Sequence, residues 1–184
     1  MRKIIVFEYM TLDGVMEAPE KWQFPYLSKD VAEVIQSQIS DVDAILLGRA
    51  TYDIFAASWP SRTHNEFGVA DKLNSAPKYV TSSTLVNPDW NNTTQIDGNV
   101  PEEIARLKRQ PGGDIGILGS AALVQSLMGS GLIDEYRLMV HPIVLGYGKR
   151  LFQEENNLAL KLVEVKAFSS GVLLLRYQPD GQNS

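Results

Sequence analysis

The sequence predicts an α/β protein, with a mostly parallel central sheet and antiparallel strands at its C-terminal edge. Two observations predict it. Strand-type and helix-type segments alternate from Lys3 to Gly129, and only strand-type segments follow from Ile133 onward. Alternation builds parallel strands covered by crossover helices, whereas consecutive strands can return antiparallel.

Each element has its own signal. Lys3 to Thr11 is β-branched and aromatic, a first strand. Ser28 is placed to cap a helix reaching Ser40, in which Val31, Val34, Ile35 and Ile39 form one apolar stripe. Ala44 to Leu47, closed by Gly48, is a short continuous apolar run, as expected of a strand buried on both faces. A short helix follows from Thr51 to Ala57, then strands at Lys78 to Thr81 and Thr93 to Asp97. Asn99, Pro101, Glu102 and Glu103 open a helix that buries Val100, Ile104 and Leu107. Gly112-Gly113 breaks the chain, Asp114 to Leu118 is a strand, and Ser120 caps a helix to Gly129. Ile133 to Val140, Leu160 to Phe168 and Val172 to Gln178 complete the sheet.

The chain has 184 residues, 44% hydrophobic and 21% charged, which suits one globular domain over 1–178 with a loose tail at 179–184. It has no cysteine, which removes disulfides, thiolate chemistry and cysteine-held metals. Two distant histidines and no carboxylate spacing suggest no metal site. A net charge of −5 without a Lys/Arg run excludes a dedicated nucleic-acid binder. Glu8 interrupts the apolar run Ile4 to Phe7, too short for a leader or a membrane span, so a cytoplasmic protein is expected.

In parallel sheets, ligands sit beyond the carboxyl ends of the strands. Four such ends carry small or polar residues: Thr11-Leu12-Asp13-Gly14, Gly48-Arg49-Ala50-Thr51, Thr81-Ser82-Ser83-Thr84 and Gly119-Ser120-Ala121. Each also reads as an ordinary turn or cap. As ligand groups, Gly allows close approach, helix starts offer free N–H donors, and Arg49 adds a charged planar fork. Trp22, Phe24, Tyr26 and Trp59 fall in irregular stretches, where they line a flat pocket or cover the core. The Gly-x-Gly-x-x-Gly dinucleotide fingerprint is absent.

In this order and spacing, these segments resemble the dihydrofolate reductase superfamily, and more closely its RibD C-terminal branch, the riboflavin-pathway aminouracil reductases. The resemblance runs over nearly the whole chain. It includes Thr11-Leu12-Asp13-Gly14, Leu47 to Tyr52, Lys78 to Leu85, and the block from Gly119 through His141-Pro142-Ile143-Val144-Leu145-Gly146 to Phe152. It implies a three-layer α/β/α fold, NADPH as cofactor and hydride transfer to a small heterocyclic or ribosylated substrate. Carried over, Gly48, Arg49 and Thr51 hold the pyrophosphate and Ser82 and Ser83 take the 2′-phosphate. Gly119, Ser120 and Ala121 support the dinucleotide. Asp13 is the expected substrate-site acid, Asp30 the helix acid by looser analogy, and Trp22 and Phe24 are expected to touch substrate. Dihydrofolate reductase itself and a non-catalytic NADP-binding protein are the alternatives. A homodimer is expected, since many relatives are dimers.

Overall fold

The computed structural model describes residues 1–85, 87–153 and 157–181. Among the described residues eight strands form one sheet: β1 (Ile4–Thr11), β2 (Ala44–Gly48), β3 (Lys78–Thr81), β4 (Thr93–Ile96), β5 (Ile115–Leu118), β6 (Glu135–His141), β7 (Leu160–Ala167) and β8 (Leu173–Pro179). Their order is β4-β3-β2-β5-β1-β6-β8-β7. The first six are mutually parallel, while β8 runs antiparallel to β6 and to β7. The helices are α1 (Lys29–Ser40), α2 (Arg49–Ser58), α3 (Ala70–Ser75), α4 (Val100–Lys108) and α5 (Ala121–Leu127).

Strand alternation sorts the core into two layers. Ile4, Val6 and Met10 of β1 pack with Ile104 and Leu107 of α4 and Leu123, Val124 and Leu127 of α5. Ile5 and Phe7 point the other way, to Ile39 of α1, Tyr52 of α2 and Leu73 of α3. The sheet is thus sandwiched, as the α/β/α expectation required. Neighbouring β1 and β5 send their following helices to opposite faces. That arrangement opens a crevice at their carboxyl ends.

The caps differ from expectation. Ser28 turns its hydroxyl to Asp30 rather than to a helix N–H, and Ser120 adopts a left-handed conformation with no cap bond. Pro179, expected in the tail, closes β8, and the Asp180 N–H donates to Ala159 O at 2.9 Å. Residues 182–184 lie outside the described residues.

Glu8 lies between Val6 and Met10 on the α4/α5 side, is 3% exposed, and its Oε1 has no hydrogen-bond partner among the described residues. Burial pushes its carboxyl well above the usual 4.5. The native state therefore keeps a proton that the unfolded chain releases above about 4.5, so this group's contribution to stability falls as pH rises. The slope is at most about 1.4 kcal/mol per pH unit for one proton. In urea titrations across pH, Glu8→Gln is expected to remove that decline. Parallel pH profiles for the two proteins would show that Glu8 does not carry it.

Candidate functional site

The carboxyl ends of β2, β3 and β5 bring the phosphate-type residues together. Ser120 Oγ accepts the Gly48 N–H at 2.9 Å and donates to Leu118 O at 3.2 Å, which stitches β2 to the start of α5. Gly119 (φ +59) and Ser120 (φ 71) both adopt left-handed backbone. Glycine takes that conformation freely, whereas serine is held there by these two hydroxyl bonds. A side chain at Gly119 would meet Thr51 Cγ2 at 3.4 Å, so Thr51 flanks the same junction. Ala121 opens α5 directly behind it.

Arg49 begins α2 and reaches across to the β3 loop, donating to Thr84 Oγ1 at 3.3 Å. Ser82 Oγ accepts the N–H groups of Thr84 and Leu85, at 3.1 and 3.0 Å, leaving its own proton to donate. Ser83 is exposed beside it. Arg49 and Ser82 thus share one edge. No side chain caps the first turn of α2, and its free N–H donors are suited to an anion. One partner was missed because the expected helix began at Thr51, although its i,i+4 spacing from Arg49 is the signal of a helical ion pair. Asp53, one turn along α2, accepts Arg49 Nε through both oxygens at 2.9 Å and offsets its charge.

Asp13 has a different setting. Its carboxylate accepts the Thr11 hydroxyl at 2.5 Å and the N–H groups of Leu145 (3.2 Å) and Gly146 (2.7 Å). Arg150 Nε donates to Asp13 O at 2.8 Å. The Thr11 hydroxyl first, then the Gly146 and Leu145 N–H groups, hold the Asp13 pKa down at about 2. Asp13 therefore fastens the loop after β6 to the end of β1. The Met16 N–H to Lys149 O bond and the Lys149 N–H to Glu17 bond, 2.9 and 3.0 Å, continue the seam. A cleft of about 340 Å³ opens along it, lined by Val15, Glu17, Lys21, Trp22, Leu145 and Tyr147 among others.

Trp22 lines this cleft with its indole N–H on Glu17 O at 2.9 Å. Its ring meets His141 edge-on at 5.1 Å, and Tyr9 and Tyr26 stand against the same imidazole. His141 Nδ1 lies 3.0 Å from Met139 O and 3.3 Å from Met10 O. Carbonyls only accept, so Nδ1 carries the proton, and burial lowers the ring's pKa. His141 is the floor beneath Trp22. Phe24 does not join the cleft. The tight turn Phe24–Tyr26 aims Tyr26 inward and leaves Phe24 exposed.

Asp30 sits apart, in the first turn of α1. Ser169 donates to it from both its N–H and its hydroxyl at 3.0 Å, and Ser28 adds a third hydrogen bond. These bonds, the Ser169 N–H foremost, also hold its pKa at about 2. Asp30 ties α1 to the β7–β8 turn.

A three-layer domain with its polar strand ends gathered at one sheet edge defines the dihydrofolate-reductase-like class. The family described as RibD C-terminal domain matches residues 2–174, and the chain belongs to it. It is 35% identical to uncharacterized protein YyaP of Bacillus subtilis (strain 168), over 98% of this chain and 96% of that protein. The fold is similar to that of a Shewanella sp. PV-4 protein carrying a riboflavin-biosynthesis name (TM-score 0.74, 22% identity, 97% of this chain and 99% of that one). It is also similar to the Thermotoga maritima diaminohydroxyphosphoribosylaminopyrimidine deaminase/5-amino-6-(5-phosphoribosylamino)uracil reductase. That match has a TM-score of 0.69 and 15% identity, and covers 97% of this chain but 57% of the longer one.

Proposed function

We infer that this protein is an NADPH-dependent reductase of the riboflavin-pathway type, acting on a small heterocyclic or ribosylated substrate. The observation that carries the reading is the shared edge of Gly48, Arg49, Ser82 and Ser120, where three strand ends supply phosphate-binding groups within reach of one another. Those residues fit the cofactor. Free N–H groups at the start of α2 suit a pyrophosphate, with Gly119 and Thr51 flanking it. Arg49, which the resemblance places on the pyrophosphate, reaches to the β3 loop instead, and there it joins Ser82 and Ser83 as a fit for the 2′-phosphate. Bound at the β1/β5 crevice, NADPH would supply a hydride to an electrophilic carbon.

The chain's own part is placement. Asp13 holds the wall of the cleft, and Trp22, 5% exposed and packed on His141, backs it. With pKa values near 2, neither Asp13 nor Asp30 keeps a proton to donate at neutral pH. Asp30, committed to Ser169 and Ser28, gives the dihydrofolate reductase alternative no support.

The test is NADPH oxidation followed by absorbance, with aminouracil ribotides and with dihydrofolate. Asp13→Asn puts an amide donor against N–H groups and frees the loop, and a shift of about 1 Å in a substrate wall costs on the order of a hundredfold. Turnover is expected to fall roughly ten- to a hundredfold with NADPH affinity retained, while Asp30→Asn has the smaller effect. No oxidation with any substrate of these classes would overturn the reading. Loss confined to Asp30→Asn would move it to dihydrofolate reductase.

A further inference from the structure

His141 is pinned on one side only. Its Nδ1–H is held by Met139 O and Met10 O, at 3.0 and 3.3 Å, which fixes the tautomer and leaves Nε2 as an acceptor. The residue is 3% exposed, yet Nε2 has no hydrogen-bond partner among the described residues and is not sealed from solvent. Burial lowers the ring's pKa from the usual 6.5, so near neutral pH that nitrogen calls for a donor.

The surroundings narrow the donor. Thr11 stands opposite His141 and Tyr9 opposite Met139, so Tyr9 and His141 share the α1 side of adjacent strands. Tyr26 comes in from the turn before α1, and Trp22 from the end of the turn before that. All three rings meet the imidazole edge-on, Trp22 at 5.1 Å and both tyrosines at 6.0 Å between centroids. The Trp22 N–H is spent on Glu17 O. The Tyr9 and Tyr26 hydroxyls have no partner among the described residues, and neither is sealed. One acceptor and two hydroxyls thus stand unpaired in an aromatic lining, the pattern that orients a flat ligand.

We propose that His141 selects the substrate ring. Nε2 accepts the N–H of a cyclic imide edge, O=C–NH–C=O as in a uracil, and the Tyr9 and Tyr26 hydroxyls donate to the flanking carbonyls. This rests on the reductase reading above and narrows its heterocycle. An imide presents one donor and two acceptors, which an acceptor with two hydroxyl donors matches. The edge of a 2-aminopyrimidinone, as in a pterin, presents two donors side by side and suits a carboxylate. Asp30, the carboxylate at the start of α1, is committed to Ser169 and Ser28.

Calorimetric titration with two isomeric probes tests this. 6-Amino-1-methyluracil keeps the imide N–H, whereas 6-amino-3-methyluracil carries a methyl group in its place. The wild-type protein is expected to bind the first roughly ten- to a hundredfold more tightly, the range for a buried acceptor left unpaired. His141→Leu is expected to abolish that preference. His141→Gln also loses the Nδ1–H bonds but returns an amide oxygen toward the Nε2 position, and is expected to keep part of it. Should thermal melting show that His141→Leu does not fold, His141→Phe fills the ring's place and carries the test. Equal affinities for the two probes in the wild type would overturn the proposal. So would a preference that survives loss of the imidazole, or identical behaviour of the leucine and glutamine variants. A preference set by His141 without NADPH oxidation would sustain the ring site and remove the reductase reading. Oxidation with a preference indifferent to His141 would do the reverse.

Discussion

Arg49→Ala is expected to weaken NADPH binding roughly ten- to a hundredfold in calorimetric titration and to leave NADH binding little changed. The two cofactors differ by a 2′-phosphate carrying roughly two negative charges near neutral pH. A charge-assisted hydrogen bond to that group contributes about 1.5–3 kcal/mol, which is the stated factor. Asp53 already engages Arg49, so part of that attraction is spent in breaking the pair. Asp53→Asn should therefore shift affinity the other way and tighten NADPH. Equal affinities of the wild-type protein for NADPH and NADH would remove Arg49 and Ser82 from the phosphate site.

Lys78→Met is expected to destabilise the fold by about 2–4 kcal/mol. Lys78 is fully buried, and its ammonium donates to Leu73 O, Asn74 O and Ala76 O at 2.9, 3.3 and 2.8 Å. It also stands 4.4 Å from the Trp90 ring centroid. Burial lowers its pKa to about 8, which records the cost of keeping the charge inside. Methionine recovers that cost but orphans the carbonyls that end α3, each worth about 1–3 kcal/mol when left unpaired. At roughly 2 kcal/mol per molar for a urea slope, the midpoint should drop by about 1–2 M. An unchanged or raised midpoint would mean that the carbonyls find water instead.

The strands were legible because their signals are local. Ala44–Gly48 and Lys78–Thr81 are β-branched or apolar runs stopped by glycine or hydroxyl residues, and both appear where expected. The turns Pro19–Lys21 and Phe24–Tyr26 and helix α3 were not legible, since three to six residues are too few to show a helical stripe. The phosphate-type residues could be picked out one strand end at a time, but the charge balance among them could not. Asp53 stands at the i,i+4 spacing from Arg49, but with the helix expected to begin at Thr51 the two were not on one element, and the pair appears only once α2 starts at Arg49. Asp13 looked like a chemical acid from its neighbours alone. Its partners Leu145 and Gly146 lie 132 and 133 residues away, and they make it a fastening. Glu8 does leave a signal, a lone charge inside an apolar strand, but hydropathy alone does not separate a buried carboxyl from a break in the run.

The position of β1 has a consequence for how the chain is made. This strand is central, yet both neighbours come late: Lys3 bonds to Asp114, 111 residues on, and Ile4 to Asp134, 130 residues on. At about 5–20 residues per second, the ribosome leaves Ile4 to Phe7 without either flanking strand for roughly 5–20 s. Through that interval two bare edges and an apolar run are open to other nascent chains. Chaperone occupancy during translation should accordingly concentrate on β1 and fall once β6 has emerged.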